Sequence, residues 1–242
     1  MSEEQLSVEP AEDPFSPLEP PAGVLEALDD DGQASFTTVF SHALRGEPCH
    51  VVGLGPEPQH LPMADWTREA DSLDQSLIAQ CVGSTLDIGC GPGRLSAALA
   101  ENGHVVLGID VVHEAVGQTR QRGVAALRRD VFDRLPGEGR WRSALLADGN
   151  VGIGGDPEAL LKRVRQLLDP TGRVVVEVAP PGVPFTTHWA ALECAGTRSR
   201  PFRWSVVGVD DVGDIAAAVG FGVASTHRHG EDRWSVVLEE QR

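Results

Sequence analysis

Thr85-Leu86-Asp87-Ile88-Gly89-Cys90-Gly91-Pro92-Gly93-Arg94-Leu95 sets the reading of the whole chain. An apolar run carrying one acid breaks into three alternate glycines, and a helix-forming stretch, Ser96 to Ala100, follows at once. The pattern predicts strand, tight turn, helix. Glycines let such a turn take positive φ and let a ligand approach bare backbone. The helix behind it aims free N–H groups and its positive dipole end at the turn. A nucleotide-like ligand fits these features. The spelling is G-x-G-x-G. A dinucleotide fingerprint needs a further glycine where Arg94 stands, and the Gly-Lys-Ser/Thr of a phosphate loop is absent.

Downstream of this turn the pattern alternates. Arg94–Asn102 reads as a helix stopped by Gly103, and His104–Ile109 as a strand ending in Asp110. His113–Arg122 is a helix stopped by Gly123, and Val124–Leu127 a short strand leading to Asp130. Ser143–Ala147 is a buried strand before Asp148-Gly149-Asn150; Asp156 caps a helix to about Leu168, and Arg173–Val178 is a strand. Strands alternating with helices imply right-handed crossovers and a parallel sheet. Asp210–Val219 reads as helix, and Val223–His227 with Trp234–Leu238 as a hairpin. The expected fold class is α/β: a doubly wound, mostly parallel seven-stranded sheet with an antiparallel C-terminal edge strand.

Upstream, Phe36, Val39, Phe40, Ala43 and Leu44 share one helical face. Cys49–Leu54 suits a short strand, and Met63–Cys81 a helix burying Trp66, Leu73, Leu77 and Ile78. Three regions are therefore expected: an acidic, Pro-rich flexible leader over 1–31, a mainly helical lead-in or lid over 32–82, and the ligand-binding core over 83–242. The net charge of −16 is concentrated at the front: residues 1–44 hold ten acids and no Lys or Arg, leaving 26 acids against 20 bases behind them. That balance disfavours nucleic acid as a partner. No apolar run is long enough for a membrane helix, and no basic-then-apolar start suggests secretion. Four cysteines without C-x-x-C spacing argue against a disulfide framework and fit a cytoplasmic location.

Leu86-Asp87-Ile88-Gly89-Cys90-Gly91-Pro92-Gly93 resembles the first motif of class I S-adenosylmethionine-dependent methyltransferases, residue for residue. The likeness runs from Leu86 to Val178 and more loosely through the C-terminal hairpin. It implies the Rossmann-like methyltransferase fold and S-adenosyl-L-methionine as cofactor. Gly89, Cys90, Gly91 and Gly93 would then approach the amino-acid and ribose parts. Asp110 would grip the ribose hydroxyls, with Val111 on the adenine. Asp130 would meet the adenine amino group beside Val131. Asp148 would stand near the sulfonium. The chemistry agrees: this cofactor has no phosphate and needs no base in the turn, while its cationic groups favour carboxylates such as Asp87 and Asp148. Each acid also has a plainer use. Asp87 can bond the turn, Asp110 can cap the next helix, and Asp130 can pair with Arg128 or Arg129.

Methyl transfer needs an aligned acceptor and, for some acceptors, a base. His188, after the fifth core strand, and Asn150 are the candidate catalytic residues. Asp148-Gly149-Asn150 lacks the Pro-Pro-aromatic sequence of enzymes that methylate nucleobase or glutamine amides, so a small-molecule acceptor is expected. Trp66, Trp189 and Trp204 are candidates to shape its pocket. His227 and His229 lack a third ligand, so no metal is expected. The oligomeric state is left open. Two other functions fit the same residues less well: a cofactor-binding regulatory protein, and a nicotinamide oxidoreductase, which Arg94 disfavours.

Overall fold

The computed structural model describes residues 33–241; the leader expected over 1–31 lies outside the described residues. Seven strands form the main sheet: β3 (Thr85–Ile88), β4 (Val106–Asp110), β5 (Ala126–Arg128), β6 (Trp141–Leu146), β7 (Leu168–Val178), β11 (Phe221–His229) and β12 (Arg233–Glu240). Their order is β11-β12-β7-β6-β3-β4-β5. The chain reverses its direction of growth between β3 and β6, and open α/β sheets bind ligands at such a point. β3 pairs in parallel with both β4 and β6, so Asp87 lies between Gly108 and Leu145. The expected antiparallel C-terminal strand is β12, which pairs with β7. It lies one place in from the edge, because β11 turns back along its outer side.

Helices cover both faces. α4 (Arg94–Glu101) follows the glycine turn, α5 (His113–Gln121) follows β4, and α6 (Pro157–Leu167) precedes β7. Asp156 caps α6 by accepting from the Ala159 amide at 2.9 Å, and Pro157 takes the first helical turn, where its missing N–H costs nothing. α7 (Val212–Ala218) lies before β11. Leu86, Ile88, Leu146, Leu160, Val164 and Val176 fill the centre of the largest apolar cluster.

The lead-in is less helical than its sequence suggests. It holds α1 (Phe36–Leu44), α2 (Met63–Thr67) and α3 (Ser72–Ile78), but also strands β1 (Cys49–Val52) and β2 (Gln59–His60). The single helix expected over Met63–Cys81 is broken at Arg68, whose backbone is extended. Asp71 then restarts it with a capping box, its carboxylate accepting from Asp74 N while Asp74 accepts from Asp71 N.

A second sheet was not visible in the sequence. β8 (Thr186–Cys194), β9 (Thr197–Arg198) and β10 (Phe202–Val206) lie between β7 and α7, and β8 pairs with β1. The sheet thus joins chain from both sides of the core. Cys49 and Cys194 face each other across β1 and β8 and are bonded as a disulfide, with Cα atoms 4.3 Å apart. This corrects the cysteine expectation: spacing along the chain says nothing about two residues brought opposite by sheet register. Cys81 and Cys90 are buried free thiols. Among the described residues no helix is long and apolar enough to cross a membrane.

Candidate cofactor and active site

The strand tips of β3, β4, β5 and β6 open into a cavity of about 440 Å³. Asp87, Gly89, Cys90, Gly91, Asp110, Val111, Asp130, Val131, Asp148 and Asn150 all line it. Gly93 and His188 do not. Gly93 takes φ +85° as the N-cap of α4, and a Cβ there would lie 2.8 Å from the Thr119 Cα; its smallness serves helix packing.

The loop glycines that do line the cavity differ in their reasons. Gly89 has φ +70°, and a Cβ would fall 2.6 Å from Asn150 Nδ2. That amide nitrogen donates to the carbonyls of Ile88 and Gly89, each at 2.9 Å. Asn150 therefore straps the end of β3, and its donor is not free for an acceptor, which removes the simplest catalytic use for it. Gly91 has φ +53° and open space where a Cβ would stand, so its backbone is the part of the turn a ligand can reach.

Asp110 ends β4 with both oxygens engaged: Oδ1 accepts from Val112 N at 2.8 Å and Oδ2 from Gly91 N at 3.0 Å. Asp110 thus holds the turn rather than capping α5, whose N-cap is Val112 without a side-chain cap bond, and each oxygen keeps a further lone pair for a ligand. Burial pushes this carboxyl's pKa up, while the bonds from Val112 and Gly91 oppose that. Asp130 accepts from Phe132 N at 3.0 Å and pairs with neither Arg128 nor Arg129; Arg129 donates to the Arg128 carbonyl instead. Val111 and Phe132, flanking the cavity beside these acids, are large apolar side chains left exposed. Phe132 was missed in the sequence, although its place two residues after Asp130 could have marked it.

Asp87 is 2% exposed and accepts from Ser96 Oγ at 2.6 Å. Burial raises its pKa to about 6, helped by the charges of Asp148 and Asp110 and opposed by the Ser96 bond. Asp148, also on the cavity wall, differs from expectation. Both its oxygens accept from Arg94 Nη2, at 2.9 and 2.8 Å. Its charge is thus already compensated, which leaves Asp87 and Asp110 as the carboxylates at the turn without a cation bonded to them.

Arg94 belongs to a buried ion network. It is 4% exposed and also bonds Asp74, which is fully buried on α3. Arg68 reaches Asp74 at 2.6 Å, and Arg233 on β12 bonds both Asp74 and Glu177 on β7. Arg68 also reaches Asp71 at 3.1 Å, so three arginines meet four acids. The network ties the lead-in to the glycine turn and to the far side of the sheet. Burial alone would raise the Asp74 pKa, but the bonds from Arg94 and Arg233 outweigh it and hold the carboxyl well below the usual range.

The opposite wall comes from outside the core. Phe36 and Phe40 of α1, Trp66 of α2, and Phe202, Arg203 and Trp204 of β10 line it. Gln118 of α5 donates to the Leu44 carbonyl at 2.9 Å, seating α1 over the core. His188 pairs in register with Trp204, and its Nε2 lies 2.9 Å from Thr186 Oγ1, outside the lining residues. Trp189 is likewise absent from the wall, whereas Trp66 and Trp204 are on it. His229 spends both ring nitrogens on Ser76 and Ser235, each at 2.8 Å. Among the described residues no group of His, Cys, Asp and Glu could hold a metal.

The model of the methyltransferase domain family matches residues 85–172, the stretch running from β3 into β7. That stretch is similar to a methyltransferase domain. A curated relative, a tabtoxin biosynthesis enzyme of Pseudomonas amygdali pv. tabaci, is 39% identical over 75 residues, covering 31% of this chain; the chain spans only 30% of that relative's length. Around the methyltransferase domain the fold is shared more widely. A methyltransferase of Bacteroides fragilis, solved with S-adenosyl-L-homocysteine, superposes with TM-score 0.72 at 20% identity over 86% of this chain and 94% of its own. The 1,6-didemethyltoxoflavin-N1-methyltransferase of Burkholderia thailandensis gives TM-score 0.55 at 22% identity, over 74% and 81% of the two chains.

Proposed function

We propose that the chain is an S-adenosylmethionine-dependent methyltransferase acting on a small-molecule acceptor. The observation that carries this reading is the convergence of Asp87, Gly91, Asp110 and Asp130 on one cavity inside the methyltransferase domain. In this reading Asp110 accepts the two ribose hydroxyls through its spare lone pairs. The adenine lies between Val111 and Phe132, its amino group toward Asp130, with Val131 behind. The methionine end runs along Gly89, Cys90 and Gly91 toward Asp87. Asp148 faces that end as part of an ion pair with Arg94.

When bound, the cofactor supplies an activated methyl group, so the chain needs mainly to align an acceptor and exclude water. The α1–α2 lead-in and β10 roof the cavity and serve as its lid. The absence of a glycine at Arg94 continues to disfavour a nicotinamide enzyme. The acidic chain disfavours nucleic acid as the acceptor. The cytoplasmic location expected from the cysteine spacing loses that support, because Cys49 and Cys194 are bonded to each other. The test is formation of S-adenosylhomocysteine from S-adenosylmethionine across a panel of small acceptors. Tight cofactor binding without turnover on any of them would favour the regulatory alternative.

The raised pKa of Asp87 gives this proposal a pH signature. A cationic cofactor stabilises the ionised carboxylate, so binding is strongest above about pH 6, where Asp87 is already ionised. Affinity for S-adenosylmethionine should fall about tenfold per pH unit below that value, as one proton must be displaced. Asp87→Asn should flatten the profile, which calorimetry between pH 5 and 8 would read. A wild-type profile that is flat across this range would remove Asp87 from the cation site.

A further inference from the structure

The wall facing the glycine turn is an unbroken aromatic belt. Trp66 lies 6.0 Å from Phe40, Phe40 5.4 Å from Phe36, Phe36 4.9 Å from Phe202, and Phe202 6.4 Å from Trp204, ring centre to ring centre. These separations suit rings packed edge-on or offset. All five line the cavity, and none lies within residues 85–172. The belt contains no phenolic hydroxyl, since the chain has no tyrosine. It offers ring faces and little hydrogen-bonding capacity.

Arg203 supplies the polar group. It stands on β10 between Phe202 and Trp204, is half-buried, and lines the cavity. Among the described residues its guanidinium has no hydrogen bond or ion pair, whereas that of Arg94 is held by two carboxylates. A half-buried guanidinium with no carboxylate bonded to it can take an incoming anion, to which it presents a planar pair of donors. Its place along the sheet separates it from the adenosine end. Asp110 and Asp130 close β4 and β5, whereas β10 meets the loop after β6 through an Ile153–Trp204 bridge. The Arg203 Cβ would lie 2.5 Å from a Cβ on Gly155, so glycine there lets the strand and its arginine come close. In a chain of net charge −16, a general attraction for anions is absent, and a local cation must supply it.

We infer that the methyl acceptor is a planar aromatic acid, its ring seated against the Phe36–Phe202–Trp204 belt and its anionic group held by Arg203. This rests on the methyltransferase reading and goes beyond it by naming the acceptor class. The anion is the handle that orients the molecule, and the belt fixes its plane.

The test uses full-length protein saturated with S-adenosylhomocysteine and three probes: 2-naphthoate, its neutral isostere 2-naphthamide, and the saturated, non-planar decalin-2-carboxylate. The expected result is naphthoate binding at least about tenfold tighter than either of the others. Arg203→Gln should bring naphthoate down to the amide's affinity, and Arg203→Lys should keep part of the preference. Affinity for S-adenosylhomocysteine should stay unchanged in both variants. Equal binding of acid and amide, binding of neither, or an undiminished preference in Arg203→Gln would each overturn the inference. So would loss of S-adenosylhomocysteine affinity in Arg203→Gln, which would assign the arginine to the cofactor. Failure of S-adenosylhomocysteine to bind the unaltered protein would instead strike the methyltransferase reading itself.

Discussion

Asp74→Ala should cost about 3–5 kcal/mol of folding stability, the range for removing one partner from a buried ion pair. Asp74 is fully buried and bonds Arg68, Arg94 and Arg233. Without it, Arg94 keeps only Asp148, and the amide that opens α3 at Asp71 loses its acceptor. A domain of this size has only about 5–15 kcal/mol in total, so the urea midpoint should drop by a large fraction. Asp74→Asn separates charge from capping: it retains an oxygen for Asp71 N but not the charge, and should recover only a minor part of the loss. Full recovery in Asp74→Asn would mean that the cap matters and the ion network does not. The pH dependence follows from the sign of the shift. The folded carboxyl titrates below the unfolded value near 3.8, so its stabilising contribution is complete above that value and is lost as pH falls through the folded one.

Asp110→Ala should weaken binding of the adenosyl cofactor by about 2–4 kcal/mol, or roughly thirty- to a thousandfold, through two lost hydrogen bonds to a charged acceptor. The structure adds a complication, since Asp110 also holds the amides of Gly91 and Val112. Part of the loss in the alanine variant would come from a slackened turn. Asp110→Asn is the better-behaved companion, because one oxygen remains to hold a backbone amide while the charge and the second acceptor are gone. It should lose about half as much free energy. Calorimetric titration with S-adenosylhomocysteine measures both, and unchanged affinity in the two variants would contradict the ribose assignment.

Much of the core was legible because its signals are local. The glycines at 89 and 91, the acids that end β3 and β4, and the Asp156-Pro157 start of α6 each act within a few residues of themselves. They placed the strands, the turn and the end of the sheet that opens into the cavity. What stayed hidden depends on distant partners. Arg94 read only as a missing glycine, yet it anchors Asp74 and Asp148 from 20 and 54 residues away. Asp148 read as a free carboxylate for the same reason. The second sheet escaped because β1 pairs with a strand more than 130 residues downstream. Its β8–β9 hairpin also turns on Ala195-Gly196, with φ +50° and +77°. Two such residues in succession normally announce themselves as Asn-Gly or Asp-Gly, and alanine carries no such signal. His188 looked poised for catalysis by position after β7, but it lies within β8, outside the residues that line the cavity. The aromatic wall of the cavity combines α1, α2 and β10, three segments that only the folded chain brings together.

The account stands or falls with the ligand at the glycine turn. Calorimetric titration of the unaltered protein at pH 7.5 with S-adenosylhomocysteine, and separately with NAD, addresses it directly. One adenosyl ligand bound per chain, with no heat from NAD, is the predicted result. Saturable binding of NAD with no response to S-adenosylhomocysteine would contradict it.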